Sequence, residues 1–285
     1  MDNKSIHKNK GTLFICATPI GNLGDVSFRL LDTLKQADMV LAEDTRTIRK
    51  LLSRYDIVKG RIISYHQHST VKKLDSIIEE LGSGKTAALV SESGTPSIQD
   101  PGYMIIRRCI EEGIAVTIIP GPNAATSALV LSGLPSDNFL FIGFLPKSGE
   151  KRNTKIAEIS GLPYTLIFYE SPNRIVKLLG ELIQKLGDRR SALVREMTKI
   201  YEEAVRGNLS EVLDDMKSRT SIKGEIVLIV EGSRGELIAK YTEDEIKSKL
   251  MELISQGISK KNAQKIVRSR YDIDRQKLYN ISTKI

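Results

Sequence analysis

Cysteine and histidine are scarce in this chain, with two and three copies among 285 residues, and their scarcity closes off some chemistry. Cys16 and Cys109 stand far apart and form no metal-type spacing, which points to reduced thiols in a core. "YHQHS" would put His66 and His68 on one face of a strand. Without a cysteine or carboxylate at ligand spacing they read as polar or substrate-facing side chains, and no metal site is expected. No apolar run approaches the roughly 18 residues of a membrane-spanning helix. The start, "MDNKSIHKNKGTLFICATPIGN", has a basic head but an apolar run of only six residues, Thr12–Ala17, closed by Pro19 and Gly21. A secretory core needs about 7–15. The expectation is a cytoplasmic protein with no membrane partner. No segment repeats with a fixed period, and none is of low complexity.

Two nucleotide-binding signatures are missing as well. "GSGKT" at Gly82–Thr86 copies the end of a phosphate-binding loop, but the position that requires the first glycine is Glu79, and the run precedes a strand pattern instead of following one. No GxGxxG follows the first strand pattern, which argues against the common dinucleotide-binding fold and its relatives.

What is present is a basic, ordinarily hydrophobic chain of net charge +8. The charge is uneven: from Ile238 onward there are eleven Lys or Arg against six Asp or Glu. An excess of this kind favours anionic partners, although a solvated helical surface would look the same. Short apolar runs at Leu13–Ala17, Met39–Ala42, Arg61–Ser64, Ala87–Ser91 and Ala115–Ile119 alternate with amphipathic stretches such as "VSFRLLDTLKQA" and "TIRKLLSRYDI". This β-α alternation predicts a parallel sheet covered by helices, with ligands beyond the carboxyl ends of the strands. Three of those ends carry loops of one character, "ATPIGNLGD", "SESGTPSIQDPG" and "IPGPNAATSA". Glycine lets a backbone approach a ligand and proline stiffens the loop, so main-chain N–H and C=O groups are the expected recognition elements. The stretch Ser132–Lys151 reads as a join. From there on, strands at Phe139–Phe144, Thr165–Tyr169, Ser191–Arg195 and Glu225–Val230 alternate with helices such as "NRIVKLLGELIQKLG", and "AVRGNLSEVLDDM" reads as a turn into a helix capped near Asn208 or Ser210. The expected organisation is an α/β domain over residues 1–135, a second over 136–235, and a basic helical extension over 236–285.

Seven stretches in collinear order, "TPIGNLGDVSFRLLDTLKQADMVLAEDTRTIRKLL", "SESGTPSIQDPG", "IPGPNAATSALVLSGLP", "FIGFLPKSGEKR", "TLIFYESPNRI", "REMTKIYEEAVRGNL" and "KGEIVLIVEG", resemble the tetrapyrrole methylase superfamily. Within it they are similar to the branch that acts on ribosomal RNA. The resemblance runs from about Thr12 to Gly232. It implies the two-domain class III methyltransferase fold, with S-adenosylmethionine folded into the cleft between domains. It also implies transfer of methyl to the ribose 2′-hydroxyl of a cytidine in the decoding region of 16S rRNA, and a homodimer. Carried over residue by residue, the cofactor would be surrounded by Pro19, by Gly94, Thr95 and Pro96, by Ala124 and Ala125, by Phe168 and Tyr169, and by Glu225 and Ile226. The chain departs from the family pattern in having Glu92 where relatives have Asp. Asn173 and Tyr201 stand where relatives often have His, so neither histidine is an obligatory base here.

Proton removal from an alcohol needs an aligned acceptor. "AEDTR" lies just beyond the second strand, which makes Asp44 and Arg46 the candidates for chemistry or substrate holding; a helix cap with an ion pair is the structural alternative. Lys199, with Glu202 and Glu203, is the candidate contact to phosphate or ribose. In the tail, a helix starting near Ser259 would carry Lys261, Lys265 and Arg268 on one face for rRNA phosphates, and Ala263, Ile266 and Val267 on another for packing. Arg270 and Arg275 add to the basic count there. Two other readings remain open: a methyltransferase of the same fold acting on a tetrapyrrole precursor or other small acceptor, and a non-catalytic RNA-binding assembly factor on the small ribosomal subunit.

Overall fold

The computed structural model describes residues 10–66, 69–233, 243–271, 273 and 275–283. The first half alternates strands and helices: β1 (Thr12–Cys16), a 3-10 turn (Leu23–Asp25), α1 (Phe28–Gln36), β2 (Met39–Ala42), α2 (Thr45–Arg54), β3 (Ile62–Ser64), α3 (Val71–Gly82), β4 (Ala87–Val90), α4 (Tyr103–Glu111), β5 (Ala115–Ile119) and α5 (Ala124–Ser132). The second half continues with β6 (Phe139–Phe144), α6 (Glu150–Ser160), β7 (Thr165–Glu170), α7 (Pro172–Leu186), β8 (Arg190–Arg195), β9 (Glu203–Asn208), α8 (Leu209–Ser218) and β10 (Ile226–Val230). Three helices close it: α9 (Glu243–Ser255), α10 (Lys260–Tyr271) and α11 (Arg275–Ser282). Two compact units divide the chain. One comprises residues 1–132 with 194–204 and 224–227; the other comprises 133–193, 205–223 and 228–285.

The first sheet has the order β3-β2-β4-β1-β5, and its four pairings are parallel. Alternation along its strands explains the two layers that cover it, because successive side chains leave a strand on opposite faces. Leu13, Ile15, Met39, Leu41, Ala87 and Leu89 pack with Ile77, Ile78 and Leu81 of α3 and with Ile105 and Cys109 of α4. On the other face Cys16, Val40, Ala42, Ala88 and Val90 pack with Leu30 and Leu34 of α1 and with Ile48, Leu51 and Leu52 of α2. Both cysteines are free and buried. Burial pushes the Cys16 thiol up to about 12 and the Cys109 thiol up to about 11, so both stay protonated and inert.

The second sheet has the order β6-β7-β10-β8-β9. Its middle strands β7, β10 and β8 are buried along most of their length, and α7 contributes Ile175, Leu178, Leu179 and Leu182 to the apolar interior. A charged network lies here as well. Arg152, only 2% exposed, donates from Nε to Glu181 Oε2 (2.6 Å) and from Nη1 to the Pro146 carbonyl (2.9 Å). Glu170 accepts from the Ser171 N–H through Oε1, while its buried Oε2 lies 3.1 Å from Arg174 Nη2 and 4.0 Å from Arg152 Nη1, outside hydrogen-bond geometry with either. Helices α9, α10 and α11 share a separate apolar cluster of Ile246, Leu250, Leu253, Ala263, Val267, Leu278 and Ile281.

The sequence pattern missed β9. Its residues Glu203–Asn208 are half-exposed or exposed on an edge strand, so no apolar alternation marks them. The turn into α8 is where it was expected: Asn208 is the N-cap, and its N–H donates to Glu211 Oε2 (2.6 Å). Ile266 is 39% exposed, so of the expected packing face on α10 only Ala263 and Val267 are buried. His66 lies past the end of β3 and is exposed; its side chain does not continue the strand's face. His68, Leu237, Ile238, Asp272, Asp274 and the side chains of Arg270 and Arg275 fall outside the described residues.

Candidate functional site

The three glycine- and proline-bearing loops leave β1, β4 and β5 at the carboxyl edge of the first sheet, where the parallel pairing brings these strands side by side. They are joined to one another. Thr18 and Gly94 form an isolated antiparallel bridge, with N–H to carbonyl distances of 2.9 and 3.1 Å. The Ser91 hydroxyl also donates to the Gly94 carbonyl (2.9 Å), and Thr95 Oγ1 reaches the Pro122 carbonyl (3.4 Å). Gly94 adopts φ +82°, a conformation that a side chain disfavours, so glycine is required for the turn itself. This corrects the expectation that its main chain is bare: its N–H and carbonyl are already taken by Thr18 and Ser91. Pro19 and Pro96, within the loops after β1 and β4, are buried. Asn123 Oδ1 accepts from the Thr126 N–H (3.2 Å) and caps α5, leaving half-buried Ala124 and exposed Gly121 at the edge, with Ala125 turned inward.

A fourth segment completes the edge within the same unit. The Asn22 N–H donates to Thr198 Oγ1 (3.1 Å), and a Cβ on Gly21 would stand 2.7 Å from Lys199 Cγ. Lys199 was expected to contact phosphate or ribose. Its ammonium instead bridges Glu196 Oε1 (2.9 Å) and Glu225 Oε2 (3.2 Å), which hold it protonated by raising its affinity for a proton despite partial burial. Glu196 and Thr198 both adopt positive φ, +52° and +65°. Such strain in residues other than glycine collects at functional sites. Ser97 (φ +71°) and Gln99 (φ +65°), in the loop after β4, share the property.

The structural alternative for Asp44 is what the structure shows. Asp44 is the N-cap of α2, accepting from the Arg46 N–H (2.7 Å), and its Oδ2 also accepts from Arg46 Nη2 (2.6 Å) and Nε (3.0 Å). These hydrogen bonds hold its carboxyl down at about 2, and in return Arg46 is pushed above its ordinary value. A carboxylate so held is a poor proton acceptor. The sequence reading gave no chemical role to three other acids: Glu43 after β2, and Glu92 and Asp100 after β4. Burial, then Glu92, raises Glu43, while His66 opposes the rise. Burial, then Glu43 and Glu92, brings Asp100 up to about 6 against a hydrogen bond from Ser91. Only folding back of separate loops gives that signal, so sequence spacing could not display it.

The remaining predicted residues divide between the units. Ile226 is buried at the start of β10, and the neighbouring Glu225 side chain is 69% exposed beside Lys199. In the second unit Phe168 is wholly buried, so its side chain belongs to the core. Tyr169 is half-buried and meets Phe141 and Phe144 edge-on, at centroid distances of 5.0 and 5.6 Å. Lys261, Lys265 and Arg268 are exposed on α10. Among the described residues no helix is long and apolar enough to cross a membrane, and no group of His, Cys, Asp and Glu forms a metal cluster. At the opposite, amino edge of the first sheet a groove of about 430 Å³ is lined by Lys10, Asp75, Glu79, Arg108 and Glu112; its arginine is paired with Asp75 and Glu112.

Comparison with known proteins places these features in context. The family model described as Tetrapyrrole (Corrin/Porphyrin) Methylases matches residues 12–213. A relative from Halalkalibacterium halodurans, named Ribosomal RNA small subunit methyltransferase I, is 44% identical over 276 residues, covering 96% of this chain and 95% of its own. Among solved structures, diphthine synthase aligns with a TM-score of 0.61 at 17% identity, covering 78% of this chain and 89% of its own. A uroporphyrin-III C-methyl transferase from Thermus thermophilus, complexed with S-adenyl homocysteine, aligns with a TM-score of 0.52 at 19% identity over 78% of this chain and 97% of its own.

Proposed function

Because the chain belongs to the tetrapyrrole methylase family, we propose that it is an S-adenosylmethionine-dependent methyltransferase of small-subunit ribosomal RNA, acting on the ribose 2′-hydroxyl of a cytidine in the decoding region of 16S rRNA. The observation that carries this reading is the 44% identity to a small-subunit rRNA methyltransferase over nearly the whole of both chains. The joined loops at the carboxyl edge of the first sheet support it, since ligands of such sheets bind there.

The loop residues fit the cofactor. Gly121 and Ala124 put little side-chain bulk at the start of α5, and the first N–H groups of a helix have no partner within it. Thr95, Ala124 and the main chain of the β1 and β4 loops would hold it, with Glu225 and Ile226 of the same unit as further contacts. When bound, it supplies a methyl group already activated by its sulfonium. The protein must then orient the hydroxyl and receive its proton. Asp44 serves by fixing Arg46, whose side chain is 86% exposed and suited to a substrate phosphate. Asp100, with its proton affinity brought to about 6, is the carboxylate at this edge best matched to accept a proton at neutral pH. Lys199 shapes the turn around Thr198 in place of the phosphate contact expected of it.

Exposed Lys261, Lys265 and Arg268 on α10 support docking of rRNA phosphates by the C-terminal helices. A homodimer is supported by the free side of β5, where Ile118 is 50% exposed and Arg29 of α1 reaches its carbonyl, next to the 87% exposed Phe28. Action on a bacterial ribosomal subunit supports a cytoplasmic location. The test is methyl transfer from labelled S-adenosylmethionine to small subunits from cells lacking the protein, with mass spectrometry of the 16S rRNA fragments. A label on a decoding-region cytidine ribose is expected. A label on a base, or transfer only to a tetrapyrrole acceptor, would overturn the assignment.

A further inference from the structure

The turn between β8 and β9 is held with unusual force for a surface segment. Glu196 and Thr198 each occupy the left-handed region, at a cost of about 1–3 kcal/mol per residue. Five contacts keep them there. The Glu196 N–H donates to the Glu225 carbonyl (3.0 Å), and Glu196 Oε1 accepts from Lys199 Nζ (2.9 Å). Glu196 Oε1 also accepts from the Glu225 N–H (3.0 Å), and Glu202 Oε2 accepts from the Thr198 N–H (2.6 Å). The Asn22 N–H reaches Thr198 Oγ1, which seats the turn on the loop after β1.

This rigid frame presents apolar side chains to water. Ile200 is 94% exposed and Tyr201 is 74% exposed, next to each other at the tip. Neither contributes to the core, so the strain does not serve packing. The acids of the turn are engaged: Glu196 is paired with Lys199, and the exposed Glu202 accepts from the Thr198 N–H, leaving the ring as the exposed aromatic of the turn. A rigid, exposed aromatic on a chain of net charge +8, continuous with the loops proposed to hold the cofactor, suits a nucleobase of a polyanion.

Resting on the rRNA methyltransferase reading, we propose that Tyr201, with Ile200 beside it, is a stacking wedge for an unpaired base of the ribosomal RNA next to the nucleotide being modified. Sequence-specific recognition of RNA favours unpaired bases that can be splayed out and stacked on an aromatic side chain, and an aromatic wedge offsets part of the cost of unstacking them. The wedge acts on RNA position and leaves the cofactor untouched.

The experiment compares wild type, Tyr201→Ala, Tyr201→Phe and Ile200→Ala on small ribosomal subunits. Base–aromatic stacking predicts a rise in KM for subunits of roughly tenfold in Tyr201→Ala. Tyr201→Phe keeps the ring and should stay within about twofold of wild type on the same ground. Ile200→Ala should raise KM by a smaller factor. S-adenosylmethionine affinity by calorimetry should be the same in all four, and the salt dependence of subunit binding should keep its slope, because no phosphate contact is lost. An unchanged KM in Tyr201→Ala overturns the proposal. So does weakened cofactor binding, which would put the ring in the cofactor site, or a change in solution mass, which would make the tip a contact between copies. Wild type that transfers no methyl to subunits would instead sink the underlying methyltransferase reading.

Discussion

Replacing Gly94 with alanine separates two reasons for a glycine at that position. If room for a ligand were the constraint, any side chain would act through bulk. Within the protein, however, a Cβ there meets Ile20 Cγ2 at 3.4 Å and the Pro122 carbonyl at 3.7 Å, both ordinary contact distances. The cost therefore lies in φ +82°, a left-handed conformation worth about 1–2 kcal/mol against an L-residue. Spread over the first unit, that is a fall in Tm of about 2–6 °C. Asparagine enters the left-handed region more readily than alanine despite its size. Gly94→Asn should accordingly be more stable than Gly94→Ala, as read by thermal and urea unfolding, whereas the order would reverse if volume governed. Because Gly94 gives its main-chain bonds to Thr18, Gly94→Ala should weaken S-adenosylmethionine binding only through displacement of the loop, by less than tenfold, or about 1.4 kcal/mol. Alanine as stable as glycine, or asparagine worse than alanine, would refute the reasoning.

Asp100 predicts a pH dependence. Its folded proton affinity lies above the ordinary carboxylate value, so the folded state binds the proton more tightly than the unfolded chain does. Stability should fall as pH rises from about 4 through about 6 and level off above that range. Asp100→Asn should remove that slope and, after discounting for partial solvent exposure, gain about 1 kcal/mol at pH 8, while lowering the methylation rate; denaturation curves at pH 5 and pH 8 and a transfer assay check both. Arg152→Met should destabilise the second unit by about 3 kcal/mol, because Glu181 and Glu170 lose a nearly wholly buried partner, and urea unfolding followed through that unit measures it. Changing Lys261, Lys265 and Arg268 together to Gln should reduce the slope of log K against log salt for rRNA binding by about 2–3, with cofactor affinity unaltered. An unchanged slope would remove α10 from the docking surface.

Most of the architecture was legible because its signals are local. Strands such as Met39–Ala42 and Phe139–Phe144 are apolar runs between turn residues, and α2 and α7 place their apolar side chains on one stripe. Strand β9 was not legible, since a half-exposed edge strand carrying Glu203, Arg206 and Gly207 has no such signature. At the site, the glycines and prolines marked the right loops, but not what their main chains do. The Thr18–Gly94 bridge joins residues far apart in sequence, and nothing in either loop alone declares it. Asp44 and Arg46 lie two residues apart, so their pairing was readable as an alternative. The three acids Glu43, Glu92 and Asp100 influence one another only after β2 and β4 have paired.

The order of the first sheet has a consequence for synthesis. β1 leaves the ribosome before the rest of the sheet but lies inside it, between β4 and β5. Its register partners begin at Ala87 and Ala115, about 75 and about 100 residues later. At about 5–20 residues per second, the apolar run Leu13–Cys16 waits some 4–20 seconds for its neighbours. During that interval it is an unpaired strand with both faces bare, the kind of segment that aggregates or is shielded by a chaperone. The position that later anchors the loop of Thr18 and Pro19 is thus the last in the sheet to be enclosed, and conditions that slow translation should lower the yield of this protein more than its equilibrium stability would suggest.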